Sequence, residues 1–372
     1  MLTDAMAAVE VSILESVLAP REVTEIVDLW HRFPSYMPSN YRAPRQPLQA
    51  SVTGRTSLAP ELGWRHDVSS NFVRTGGRLG RRDEPRALLS ARTNYFRGTY
   101  ANRRTVSASG IEGFFRHPQL MEAARVLFGG RVSIPAVVYA NVLLPGQELG
   151  IHTDVPEFLG ASRAGLPGWF LVVMRHSKLF EDRRVPIATV IAYFGEPKGG
   201  DFVYYPDGPL GAPVTFTPHN NTAVVIDGDS VFHGVDRVEG DDSALMSLRS
   251  DARLGHAGGR HWVLRSGERR LSSYASDDLR FSVSWKAYCF ADSADRSAFA
   301  AGQARLPIDA ILRRLVEELC ARGRLADPDH HLSDAELAEL LIDEFVPFPP
   351  ANPGSPVRTN EHSGESKRAL RS

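Results

Sequence analysis

Between residues 131 and 291 the chain is a succession of short β-branched and aromatic runs. That pattern limits the fold more than any other feature of the sequence. Residues 137–144, 169–175, 186–194, 201–205, 222–226 and 280–290 each read as a strand. Turn pairs such as Pro145-Gly146 and Gly199-Gly200 separate them. Many strands without helices between them predict a sandwich or barrel rather than a βαβ sheet. One stretch, 239–279, is charged, rich in Ser, Gly and Arg, and weakly periodic. It reads as an insertion looping out between two strands, of the kind that forms lids or stays disordered.

Helical periodicity flanks this region. In the N-terminal support region, 1–130, Pro20 opens a segment with Val23, Ile26, Val27 and Trp30 on one face. A second helix is expected over 119–128, after Pro118 and stopped by Gly129-Gly130. Residues 34–82, rich in Pro, Ser, Gly and Arg, read as long loops. The C-terminal region, 292–346, carries the stripe Ile308, Ile311, Leu312, Leu315, Val316, Leu319. A capping box, Ser333 with Glu336, precedes Leu337, Leu340 and Leu341. The tail from Pro347 to residue 372 is poor in hydrophobics and is expected to be disordered.

Composition narrows the function. With 42% hydrophobic and 23% charged residues, the 372-residue chain reads as soluble and globular. A formal net charge of −1 gives no overall pull toward nucleic acid or anionic membrane, so neither is expected as a partner. Only four of the 43 basic residues are lysine, a bias that reads as genome composition. A loop cluster such as Arg78, Arg81 and Arg82 is therefore expected to be solvated. Two cysteines, Cys289 and Cys320, cannot build a disulfide framework or a Cys-rich zinc site. They read as buried thiols in a reducing, cytoplasmic compartment. The N-terminus has no basic region ahead of an apolar one, so no secretory signal is expected. No apolar run is long enough to span a membrane.

Chemistry concentrates at one place. The run Leu143-Leu144-Pro145-Gly146 ends a strand in a turn, and His152-Thr153-Asp154 follows. Residues i and i+2 of a strand share a face, so His152 and Asp154 can present an imidazole and a carboxylate to one metal ion. A second histidine from a distant strand would complete a facial triad with open coordination positions. His233 fits best, because it follows the strand 222–226, an Asp227-Gly228-Asp229 turn and a short run, Val231-Phe232. His219 is next, without a strand context. His176, His256, His261, His330 and His331 read as core, pocket or surface residues. Phe158, Arg163 and Trp169 follow His-x-Asp closely enough to line a pocket, although such aromatics are more often core.

These pieces together resemble the Fe(II)/2-oxoglutarate-dependent dioxygenases, in particular their prolyl-4-hydroxylase-like branch. The matching residues are His152-Thr153-Asp154, Gly199-Gly200-Asp201-Phe202, the strand and turn before His233, and Arg280-Phe281-Ser282. The resemblance covers roughly residues 131–291. It implies a mainly β fold with flanking α-helices around a double-stranded β-helix core, of jelly-roll or cupin-like form. It implies iron on His152, Asp154 and His233, with 2-oxoglutarate and O2 as cosubstrates and ascorbate as a candidate reductant. Arg280 would bind the distal carboxylate of 2-oxoglutarate, with Ser282 beside it and Tyr139 and Asn141 as further cosubstrate contacts. The activity implied is oxidation of a substrate carbon, above all hydroxylation. A carboxylate at 154 separates the chain from the family's halogenases, which carry a small residue there.

One departure stands out. The family's carboxylate-binding base commonly follows the distal histidine by about ten residues, a spacing taken from the resemblance, whereas Arg280 lies 47 positions on. Arg237, Arg249 and Lys286 are its rivals. Arg280 is preferred because a guanidinium can grip a carboxylate bidentately. The expected substrate is a small molecule, an amino acid or natural-product intermediate, free or bound to a carrier protein. Two other classes stay open: a cupin-like hydrolase or isomerase using zinc or manganese without 2-oxoglutarate, and a silent binding module.

Overall fold

A computed structural model describes residues 11–39, 63–129, 132–302, 305–328, 332–351 and 357–358. Eight strands form the core: β1 (Val132–Leu143), β2 (Leu149–His152), β3 (Ile187–Phe194), β4 (Phe202–Tyr204), β5 (Val214–Phe216), β6 (Ala223–Asp227), β7 (His233–Val235) and β8 (Arg280–Phe290). They pair antiparallel in two sheets, ordered β6-β3-β8-β1 and β5-β4-β7-β2. At every step but β4 to β5 the chain crosses from one sheet to the other. That winding is a double-stranded β-helix. Val11–Leu14 extends the larger sheet beside β6, and Phe96–Asn102 extends it beside β1.

The larger sheet has two different faces because side chains alternate along each strand. On β8, Phe281, Val283, Trp285 and Ala287 join one apolar cluster with Ile26, Leu29 and Trp30 of the helix Pro20–Arg32 and Leu120 and Ala124 of the helix Pro118–Leu127. Trp30 stacks on Phe281 at 4.1 Å, and the Trp285 indole donates to the Phe115 carbonyl at 2.9 Å. The alternate residues Arg280, Ser282, Ser284 and Lys286 turn to the interior between the sheets, where they are buried. A polar lane inside a barrel is costly unless each member has a partner, so it marks a site rather than core.

Three expectations are corrected. Residues 169–175 are not a strand: Gly168–His176 is a helix behind Pro167, buried from Gly168 through Arg175. It packs with the helices Ile308–Ala321 and Asp334–Phe345 in a second apolar cluster. A short run that is apolar all round has no period to read, and helix and strand cannot then be told apart. The insertion is not a loop. It folds as a three-stranded antiparallel sheet, Ala252–Gly258, His261–Ser266 and Arg269–Ala275, with Trp262 stacked on Trp30 at 4.8 Å. Within 34–82 the structure contains the helix His66–Thr75, while 40–62 lie outside the described residues. The expected disordered tail also lies outside them, apart from 347–351 and Val357–Arg358, a two-residue strand parallel to β5. The Ser333–Glu336 capping box forms as expected. Among the described residues no helix is long and apolar enough to cross a membrane.

Candidate metal centre

His152 ends β2 and His233 opens β7, and these two residues are direct cross-strand partners. Their ring centroids lie 4.5 Å apart. Asp154 completes the group, with one ligand atom from each of the three within 4.8 Å of the others. Each histidine is oriented by its own backbone. Nδ1 of His152 lies 2.8 Å from the Gly150 carbonyl, and Nδ1 of His233 lies 2.9 Å from the Val231 carbonyl. A carbonyl only accepts, so Nδ1 carries the proton in both and Nε2 is left with its lone pair for a metal. Burial, and for His152 also the neighbouring His233, lowers both histidine pKa values. Both rings are thus neutral at pH 7, the form that ligates without releasing a proton.

Asp154 reaches the same point by another route than expected. The strand stops at His152, and Asp154 lies past it, its amide donating to the Gly228 carbonyl at 2.6 Å. Oδ2 accepts from Thr189 at 2.9 Å and faces the Lys286 ammonium at 2.6 Å, leaving Oδ1 for a metal. Burial alone would raise its pKa; above all the Lys286 ammonium outweighs it and holds the carboxyl well below the usual range. Arg65 fixes the backbone between the ligands. It donates twice to buried Asp67, at 3.0 and 2.8 Å, and to the Thr153 carbonyl at 2.9 Å. The turn before His233 is pinned from outside the site, by Arg184 on Asp227 at 2.7 Å and Arg175 on Asp229 at 3.2 Å.

Gly228 leaves room for this carboxylate: a Cβ there would lie 2.1 Å from Asp154 Oδ2. Gly228→Ala is therefore expected to displace Asp154 and weaken divalent-metal binding about 10- to 100-fold, as loss of an outer-shell support does. Metal titration of the folded variant, followed by calorimetry, checks this.

A cavity opens beside the three ligands, lined among others by Arg97, Tyr139, Asn141, Tyr193, Arg280, Ser282 and Ser284. All four residues expected at the cosubstrate site therefore share one cavity with the ligands. Arg280 lies fully inside, its Nε donating to the Gly200 carbonyl at 2.6 Å. Gly200 has φ of 74°, and a Cβ there would meet the Arg280 side chain at 2.6 Å, so the glycine makes the approach possible. Arg280 Nη2 and the Tyr193 hydroxyl are buried side by side and interact electrostatically, but neither makes a hydrogen bond of normal geometry to a described residue. The guanidinium carbon sits 5.1 Å from the Tyr193 ring centre. The rivals are engaged elsewhere. Arg237 bridges Glu84 and Glu148, Arg249 donates to the carbonyls of Met246 and Leu248, and Lys286 is on Asp154.

Sequence reasoning missed Tyr193, Thr189, Arg65 and Arg97. Tyr193 and Thr189 sit on β3 at inward positions, a signal that alternation along 187–194 could have given. Arg65 stands just before the helix His66–Thr75 and Arg97 on the strand Phe96–Asn102, and neither carries a motif. Phe158 and Trp169 are core in the second apolar cluster and do not line the cavity. His176 meets Thr153 Oγ1 at 3.1 Å, and His219 is exposed beside Glu196.

Just past the triad, Glu157 is buried, 3.8 Å from Arg163. Burial pushes its carboxyl up to about 7, against the opposing pull of Arg163 and Arg103. A carboxyl raised on folding adds stability below its unfolded value, near 4.3, which is lost as pH rises through about 7. Glu157→Gln removes that penalty. The variant should gain roughly 3 kcal/mol on wild type above pH 7 and converge with it under acid conditions, as read by urea unfolding across the pH range.

No protein-family model matches the chain, and no curated protein matches it in sequence. Solved structures similar in fold include an oxidoreductase of the 2OG-Fe(II) oxygenase family from Burkholderia pseudomallei, 14% identical over 75% of this chain and 85% of that one, with a TM-score of 0.38. A Pseudomonas putida prolyl-4-hydroxylase is 11% identical over 75% and 92%, with a TM-score of 0.34. HygX from Streptomyces hygroscopicus, solved with nickel, 2-oxoglutarate and hygromycin B bound, is 8% identical over 76% and 83%, with a TM-score of 0.36. At these identities and TM-scores the likeness assigns neither a family nor a role to this chain, and its fold is read from its own strand order.

Proposed function

We propose that the chain is an Fe(II)- and 2-oxoglutarate-dependent oxygenase that hydroxylates a small molecule, an amino acid or natural-product intermediate, free or on a carrier protein. The donor set supports iron: two neutral imidazoles and one carboxylate on one face, the set of non-haem iron oxygenases. The observation that carries the cosubstrate is the pair of orphaned polar atoms, Arg280 Nη2 and the Tyr193 hydroxyl, buried in the same cavity. Buried polar atoms of this kind are stabilised when a partner completes them. A carboxylate between them would do so, with Ser282, Tyr139 and Asn141 along the wall to the metal ligands.

When bound, iron and 2-oxoglutarate supply the oxidising chemistry, with decarboxylation to succinate and ascorbate as a candidate reductant. The chain's own residues do the rest. His152, Asp154 and His233 would hold the metal. Lys286 and Thr189 keep Asp154 on a single free oxygen. Leu143, Leu149, Ile191, Phe202 and Val235 give the cavity an apolar wall beside these polar groups.

Aerobic incubation of iron-loaded protein with 2-oxoglutarate should release succinate even without substrate, through slow uncoupled turnover. Full metal occupancy without succinate would favour the cupin-like hydrolase or isomerase instead.

A further inference from the structure

Cosubstrate chemistry leaves one cation of the cavity unused. Arg97 opposes Asn141 on β1, Asn141 opposes Ser282 on β8, and Ser282 opposes Tyr193 on β3, so the four form one row across the sheet. Strands in a sheet are spaced about 4.8 Å apart, which places the Arg97 backbone roughly 10 Å from β8. Tyr193 is at the other end of that row, and Arg280 stands on β8 two residues before Ser282. Arg97 is also held in place. Its Nε donates to Asn141 Oδ1 at 3.3 Å, its Nη2 donates to the Tyr95 hydroxyl, and its guanidinium carbon lies 4.1 Å from the Tyr139 ring centre. Asn141 is fixed in turn on Ser284 at 3.1 Å. No carboxylate stands within ion-pair distance of Arg97 among the described residues.

Charge counting makes this arrangement informative. Arg97, Arg280 and Lys286 bring three positive charges, and Asp154 one negative. A divalent metal ion and dianionic 2-oxoglutarate cancel each other. Two positive charges are left in a buried site, which desolvation penalises until an anion enters. We propose that Arg97 sets substrate specificity by gripping a carboxylate, so that the substrate is an anionic small molecule. This rests on the oxygenase reading above. The Arg97 guanidinium, held over the Tyr139 ring, is a planar fork, which suits a carboxylate better than a tetrahedral phosphate.

The test uses the full chain with isotope-labelled arginine, loaded with Zn(II) and 2-oxoglutarate. The Arg97 Nε–H signal is identified by its loss in Arg97→Lys. Acetate should move that signal saturably, neutral acetamide should not, and inorganic phosphate should act more weakly than acetate. Arg97→Met should weaken acetate binding, followed by calorimetry, about ten-fold or more and leave 2-oxoglutarate affinity unchanged. No response to acetate would overturn the proposal, and a stronger response to phosphate would overturn the carboxylate class. If Arg97→Met weakens 2-oxoglutarate as much as Arg280→Met does, Arg97 serves the cosubstrate and the proposal fails. Failure of zinc-loaded wild type to bind 2-oxoglutarate at all would instead refute the oxygenase reading, and this inference with it.

Discussion

His233→Ala is expected to abolish tight iron binding while leaving the fold intact. The side chain is one of three ligands, and its removal leaves His152 and Asp154 with an open edge. Losing an outer-shell support costs 10- to 100-fold in affinity, so loss of a ligand should cost more than about 100-fold. The fold should survive because His233 sits at the start of a short strand whose neighbours Gly234 and Val235 keep their pairing to β4. Iron titration together with circular dichroism separates the two. Retained affinity in a folded variant would mean that His233 is not a ligand.

Arg280→Met is the second large effect. The guanidinium is fully buried, with one nitrogen committed to Gly200 and another unpartnered. A charge-assisted bond to a ligand carboxylate in such a place contributes about 2–4 kcal/mol, so the Kd for 2-oxoglutarate should rise roughly 30- to 1000-fold with metal affinity unchanged. Arg280→Lys should recover only part of it, because an ammonium cannot reproduce the fork and would leave Gly200 without its donor. Calorimetric titration of 2-oxoglutarate into the metal-loaded variants measures both. Equal affinity in Arg280→Met and wild type would return Arg237, Arg249 and Lys286 to contention.

The sequence made the metal ligands legible for a local reason. His152 is tied to its position by β2, and His233 by a turn rich in Asp and Gly, so both signals lie within a dozen residues of the side chain concerned. Asp154 was found although its stated reason was incomplete. It does not share a strand with His152; the backbone leaves the strand and is caught by Gly228, a contact 74 positions away in the chain. The long gap before Arg280 was read as an insertion, and so it is. Its three-stranded form was not legible because its strands alternate weakly and its buried residues, such as Leu254, Trp262 and Leu264, become core only against Trp30 and the larger sheet. The helix Gly168–His176 was misread because it is buried on all sides, which erases the 3.6-residue period. Arg97 and Lys286 were legible only as charges. What gives them meaning is a partner from another element, Tyr139 on the neighbouring strand for one and Asp154 for the other.

The most direct measurement is an anaerobic titration of the protein with Fe(II) and 2-oxoglutarate, watching for a weak visible metal-to-ligand charge-transfer band. The site as built predicts a band in wild type, absent in His233→Ala and shifted to much higher 2-oxoglutarate concentration in Arg280→Ala. A well-folded, iron-loaded wild type that shows no band would contradict the assignment of 2-oxoglutarate to this cavity.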